Sequence, residues 1–381
     1  MKEKLFIITG EYSGDMHAAN VVKQLKALGS DLEIEAIGGI NLEGQGVKLF
    51  SDHREMSAVG LSPKIIIDHY KLGKSLVNYL KNDFKPDMVL LIDYGAFNLS
   101  IAKALHKTGI KVYYYIPPQV WASRKYRIRL IEKYVDKVLC IFPFERQLYA
   151  QYGIDTYYCG HPLVSQLPAP AGKRTFFREH NLDLEKKLVS VFPGSREFEL
   201  KNLMGIFVDS VKELNLRHPD LQFCISQAPN ISDEVFQKYL GSCNIPVIKG
   251  ENQALLSVSD ALILASGTVA LEACLYKTPM IIAYKGPEFF YWIYLLVRCI
   301  KRVSLPNIIA DKYIVPELIQ HKATSENVVS NIEKLLYNPD LRYEHIKDLG
   351  SVKELLSDKN SAIEVAKVID AELFPYPPRI Y

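Results

Sequence analysis

Leu262-Ile263-Leu264-Ala265-Ser266-Gly267-Thr268-Val269-Ala270-Leu271-Glu272 is the stretch on which the fold turns. Up to Ala265 it is apolar and uncharged, as in a strand buried on both faces of a parallel sheet. Ser266-Gly267-Thr268 then turns the chain, and the residues from Val269 have helical composition. A strand, a short turn and a helix in that order aim backbone N–H groups and the positive helix end at one point, where an anion can sit. Glu272 falls about one helical turn in, within reach of sugar hydroxyls beside that anion. Taken alone, the stretch is equally an ordinary capped helix start.

The same grammar recurs on both sides. Leu188–Phe192 reads as a strand, Pro193-Gly194-Ser195-Arg196 as a turn, and a helix follows from about Glu199. Ser195 offers donors there, and Arg196 offers a guanidinium fork suited to a diphosphate. Leu221–Ser226, Val247–Ile248 and Met280–Ala283 continue the sheet, and Ser304-Leu305-Pro306-Asn307 reads as a rigid loop with Asn307 aimed at a base or phosphate. Upstream, Leu167-Pro168-Ala169-Pro170-Ala171-Gly172 is a plain linker.

Before it, Lys4–Thr9 is a strand, Gly10–Asp15 a loop and Met16–Leu28 a helix ending at Gly29. Glu11 and Asp15 in that loop repel phosphate, so the unit is no Rossmann phosphate cradle, though a strand-end loop still lies at the ligand edge. Pro86–Ile92 is a buried strand that ends in Asp93, a carboxylate badly placed for stability and well placed for chemistry. Further strands are expected at Ile34–Ile37, Lys111–Ile116, Val135–Phe142 and Tyr157–His161. Arg124, Lys125, Arg127 and Arg129 line a basic helix that is either a solvated or an anion-facing surface. The expectation is α/β, with two Rossmann-like doubly wound domains at 1–166 and 173–350 facing each other across a cleft. The helix at 361–373 is expected to pack back on the first domain.

With 381 residues the chain exceeds the usual ceiling for one core. A net charge of +3 argues against bulk nucleic-acid binding. Six cysteines without Cys-x-x-Cys or zinc spacing read as reduced, packed thiols of a cytosolic protein. A strand entered by Leu5 leaves no room for a signal peptide. Ser57–Leu80 and Phe289–Ile300 are apolar stretches carrying or flanked by lysine and arginine, each open to a reading as interior helix or as membrane-facing surface. Phe289–Ile300 is too short to span.

Eight motifs in order resemble the lipid-A-disaccharide synthase family, bacterial glycosyltransferases of the GT-B fold. They are Gly10-Glu11-Tyr12-Ser13-Gly14-Asp15, Ile92-Asp93 with Phe97-Asn98, Val120-Trp121-Ala122, Pro143-Phe144-Glu145, Gly160-His161, Pro193-Gly194-Ser195-Arg196, Ala265–Glu272 and Ser304-Leu305-Pro306-Asn307. They run from residue 10 to about 310. The resemblance implies transfer from a UDP-linked diacylglucosamine to diacylglucosamine 1-phosphate (lipid X), with inversion and release of UDP. It further implies a cytoplasmic protein held peripherally on the inner membrane, with no metal or cofactor, and is compatible with a homodimer. Asp93 is then the base, with Glu11 orienting it. Ser195, Arg196, Ser266, Gly267, Thr268, Glu272 and Asn307 would hold the donor, and Ser13, Asp15 and Trp121 would lie on the acceptor and lipid side. Two departures stand out: Gly95-Ala96 where the family usually has Pro-Asp, and Ser123 where a second tryptophan is common. The first concentrates acid–base duty on Asp93; the second bears on acyl-chain specificity. The rival readings are a UDP-N-acetylglucosamine epimerase or soluble-acceptor transferase, and a non-catalytic nucleotide-sugar-binding protein.

Overall fold

A computed structural model of the chain describes residues 2–52, 63–287 and 301–375. Its strands form two sheets whose described pairings are all parallel. Two compact units result: Met1–Ser165 with Leu356–Tyr381, and Gln166–Leu355. Each is a doubly wound α/β unit of the GT-B type. Among the described residues no helix is long and apolar enough to cross a membrane.

In unit 1 the strands are β1 Glu3–Ile8, β2 Leu32–Gly38, β3 Lys48–Asp52, β4 Met88–Ile92, β5 Lys111–Tyr115, β6 Lys137–Cys140 and β7 Thr156–Tyr158. Their order is β3-β2-β1-β4-β5-β6-β7, so the winding reverses between β1 and β4. All five residues of β4 are fully buried, and burying each such side chain contributes about 1.5–3 kcal/mol. Helix Ser361–Leu373 closes this unit: Asn360 caps it, Ser30 donates to Asp370 at 2.6 Å, and Tyr115 donates to Ser361 at 3.0 Å.

In unit 2 the strands are β8 Lys187–Phe192, β9 Leu221–Gln227, β10 Val247–Lys249, β11 Ala261–Ala265, β12 Met280–Tyr284 and β13 Glu317–Ile319. The order β10-β9-β8-β11-β12-β13 reverses between β8 and β11. Val189, Val191, Leu203, Phe207, Ile263 and Ile332 form part of one core between sheet and helices. The proline-rich stretch 167–172 belongs to this unit, with the Ala171 N–H on Ser257 and the Tyr276 hydroxyl on the Pro168 carbonyl.

Several local expectations need correction. The first helix is Tyr12–Leu28, so only Thr9, Gly10 and Glu11 separate it from the strand, and Ser13 and Asp15 are helical. The basic helix starts at Arg127; Arg124 precedes it in a left-handed conformation, φ 53°. Leu305–Ile309 is a helix with a proline in its first turn, where the missing N–H costs nothing, and not a loop. Of Ser57–Leu80, residues 57–62 lie outside the described residues, and the remainder is helix Pro63–Tyr79 followed by a π turn, Leu80–Phe84. Phe289–Ile300 lies outside the described residues altogether.

Candidate active site

Ligands of open α/β sheets bind beyond the carboxyl ends of the strands where the winding reverses. In unit 1 that point lies between β1 and β4, and the residues there are Glu11 and Asp93. Asp93 and Tyr94 are both left-handed, φ 49° and 48°. Such residues cost about 1–3 kcal/mol each and persist only where the surroundings over-determine them. Here they do. The Asp93 N–H donates to the Tyr115 carbonyl at 3.2 Å, and its own carbonyl accepts from the Tyr114 hydroxyl at 2.7 Å and from Asn98 Nδ2 at 2.8 Å. The Tyr94 ring lies where a Cβ on residue 10 would stand, at 2.1 Å, so only glycine fits there. His69 bonds the Tyr94 hydroxyl from the helix Pro63–Tyr79.

Burial raises the Asp93 carboxyl above its ordinary value, and the Glu11 charge pushes it the same way; the Tyr94 N–H, donating to the carboxylate, opposes both. The residue as a whole still faces solvent. A partly dehydrated, accessible carboxylate with a raised pKa is the form a general base takes.

In unit 2 the reversal lies between β8 and β11, where Leu264 pairs with Phe192. Both turns named from sequence leave from these two strand ends. Pro193, Gly194, Ser195 and Arg196 from one, and Ser266, Gly267 and Thr268 from the other, line a cavity of about 280 Å³ together with Ser226 and Asn252. The turn donors are already engaged, however. Glu199 accepts the Ser195 N–H at 2.7 Å and the Arg196 N–H at 3.2 Å through one carboxylate oxygen. The backbone of the first turn is therefore an internal cap; the Arg196 guanidinium lies 3.4 Å from the other Glu199 oxygen through Nη1 and, 78% exposed, keeps its other N–H groups for an anion.

Three sequence-named side chains are committed elsewhere. Asn307 is fully buried; its Nδ2 donates to the Val315 carbonyl and Glu317, and its Oδ1 accepts the N–H groups of Ile314 and Val315. Both ends of its amide are thus engaged within the fold. Asp15 is buried and accepts the N–H groups of Gly39, Asn41 and Leu42, capping the short helix Ile40–Gly44. Trp121 spends its indole N–H on the buried Glu145 and stacks edge-on against Phe142 and Phe144. Ser13 is exposed in the first helical turn. Glu272 is half-buried and hydrogen-bonded to Gln253, with burial raising its carboxyl.

A profile of the Lipid-A-disaccharide synthetase family matches residues 5–368. The chain belongs to the lipid-A-disaccharide synthase family. It is 36% identical to "Lipid-A-disaccharide synthase 1" of Legionella pneumophila strain Lens over 97% of both chains. It is 34% identical to "Lipid-A-disaccharide synthase" of Myxococcus xanthus over 99% of both. Among solved structures it resembles the UDP-GlcNAc 2-epimerase of Neisseria meningitidis bound to UDP-GlcNAc, at 16% identity and a TM-score of 0.66, covering 96% of this chain and 99% of that one. It also resembles the S. aureus MnaA–UDP structure, at 16% identity and a TM-score of 0.67, covering 97% of each. At such identity these two speak for the fold alone.

Within this member of the family, sequence reasoning missed Tyr94, Tyr114, Glu199 and Asn252. Tyr114 sits inside an apolar strand and looks like core. Glu199 was visible as a capping residue, three positions after Arg196. Nothing in the local sequence marks Asn252 or Tyr94.

Proposed function

We propose that the chain forms the lipid A disaccharide by transferring diacylglucosamine from UDP to the hydroxyl of diacylglucosamine 1-phosphate. The observation that carries this is family membership along nearly the whole chain. In this reading Asp93 takes the proton of the attacking hydroxyl, and Glu11 keeps the carboxyl basic enough by like-charge repulsion. One displacement at the anomeric carbon then inverts it and expels UDP. The developing diphosphate charge falls to the Arg196 guanidinium and the Ser266-Gly267-Thr268 turn, with Glu272 on the ribose. Ser195 contributes to the turn through its backbone, and Ser13 stays on the acceptor side.

The decisive experiment measures UDP release from UDP-diacylglucosamine and from UDP-GlcNAc, each with and without acylated acceptor. Release only with the acylated pair is expected. Conversion of UDP-GlcNAc without acceptor would favour the epimerase reading instead, and UDP-sugar binding with no turnover would favour a non-catalytic role.

Both substrates carry acyl chains, so the reading includes peripheral work on the cytoplasmic leaflet. Ile67, Tyr70, Lys71 and Lys74 are exposed at helical spacing on Pro63–Tyr79, an apolar-and-basic face of the kind that settles at a lipid interface. Replacing Ile67 and Tyr70 with serine should lower co-sedimentation with anionic vesicles. The homodimer is a matter for sedimentation equilibrium.

A further inference from the structure

We infer that Tyr114 and Asn98 are positioning residues for Asp93, acting through the peptide plane between Asp93 and Tyr94. This rests on the reading of Asp93 as base.

The carbonyl and N–H of one trans peptide lie in a plane and point in opposite directions. Two donors clamp the carbonyl side of this plane: the Tyr114 hydroxyl at 2.7 Å and Asn98 Nδ2 at 2.8 Å. With this carbonyl held, and the Asp93 N–H held in turn by the Tyr115 carbonyl at 3.2 Å, the backbone on both sides of the Asp93 Cα is fixed, and with it the direction in which the carboxylate leaves. The same clamp maintains two consecutive left-handed residues that would otherwise relax toward extended backbone.

The donors are themselves fixed. Tyr114 is fully buried on β5, paired in register with Leu91. Asn98 also holds the Ile92 carbonyl at 3.2 Å, and its Oδ1 is buried with no hydrogen-bond partner. A flipped amide would set that oxygen against two carbonyl oxygens. The orphaned atom is thus the consequence of using Nδ2 as the clamp, and orphaned buried polar atoms are rare enough to need such a reason.

The groups around the carboxylate are Glu11, Tyr94 and Tyr114, with Arg127, whose Nη1 lies 3.1 Å from where a Cβ on residue 95 would stand. None of them but Tyr114 changes in the test. Tyr114→Phe and Asn98→Ala are measured in parallel, each alone and in an Asp93→Asn background, with kcat, donor KM and the pH profile of kcat/KM. We expect each single variant to lower kcat about 10- to 100-fold with donor KM unchanged. We also expect the acidic limb to move, because a carboxylate released from its fixed place between Glu11 and the Tyr94 peptide changes the balance of burial and neighbouring charge that sets its protonation. In the Asp93→Asn background neither change should lower the residual rate further. An unmoved limb, or the same fractional loss in both backgrounds, overturns the inference, as does failure of both variants to fold. Near-normal turnover of Asp93→Asn alone would instead remove the base reading on which it stands.

Discussion

One oxygen of Glu199 lies 2.7 Å from the Ser195 nitrogen and 3.2 Å from that of Arg196, and so occupies the place an anion would take in the turn after β8. Gly194 makes room for it: at φ 116°, a Cβ there would stand 2.3 Å from that oxygen. The turn is consequently rigid before any ligand arrives, and recognition of a diphosphate falls on the side chain of Arg196.

Arg196→Ala should therefore weaken UDP binding by 10-fold or more, the scale of one charged hydrogen bond, while leaving the melting temperature nearly unchanged because the side chain is exposed. Calorimetric titration with UDP reads the first and a thermal melt the second. Unchanged affinity would move the diphosphate away from this turn. With a guanidinium neutralising the leaving group, activity should also survive EDTA; loss restored by Mg²⁺ would contradict that arrangement.

Asp93→Asn should cut turnover by ~10² or more with UDP affinity intact, the usual range for a positioned base. In the wild type the rate should fall as pH drops, since protonating the carboxyl removes the base. That fall should begin at a higher pH than for an ordinary aspartate because burial and Glu11 both raise it. Replacing Glu11 with glutamine removes one of those pushes and should shift the acidic limb to lower pH.

Glu145 is buried and pushed up to about 7 from 4.5, chiefly by burial, against the donors on it from Ile141, Phe142 and Trp121. A carboxyl whose pKa is raised by folding is protonated more tightly in the native state than in the unfolded one. Stability should fall as pH rises from about 4.5 to about 7, by about 3 kcal/mol in all, and level off above. Urea midpoints for the wild type and Glu145→Gln across that window test this: the variant should lose the slope while starting lower, because its amide meets N–H donors. Parallel curves would show that another group sets the dependence.

Asn307→Ala should behave as a core lesion. It strands the N–H groups of Ile314 and Val315, at about 1–3 kcal/mol for each buried donor. UDP affinity of the folded fraction should be unaltered. A selective loss of UDP binding with normal stability would return Asn307 to the donor site.

What could be read from residue order alone followed burial. β4 and β11 are apolar throughout and fully or nearly fully buried, so their existence and the importance of the residues just past them were plain. Two of the four edge strands were not. β3, Lys-Leu-Phe-Ser-Asp, is partly exposed along its length, and β13 is three residues long; neither carries a pattern distinct from a loop. Side-chain direction was equally hidden. Asp15 and Asn307 have the chemistry of ligand-binding residues, and only the backbone donors facing them reveal that they are spent inside the fold. Glycine misled once: Gly14 suggested a loop, yet it sits in the first turn of a helix, where no Cβ is wanted against Thr9.

The helix Ser361–Leu373 belongs to the unit whose sheet lies wholly before position 166. During synthesis the ribosome must therefore deliver all of unit 2 before unit 1 has its last piece. Until then the apolar stripe that receives Val365, Ala366, Ile369 and Leu373, buried in the finished protein, has no cover, including on the helix Tyr12–Leu28 that packs against it. At ~5–20 residues per second, that interval is on the order of ten seconds or more. The first-made part of this chain is the last to be finished, and in the cell it spends that time as a surface that chaperones can find.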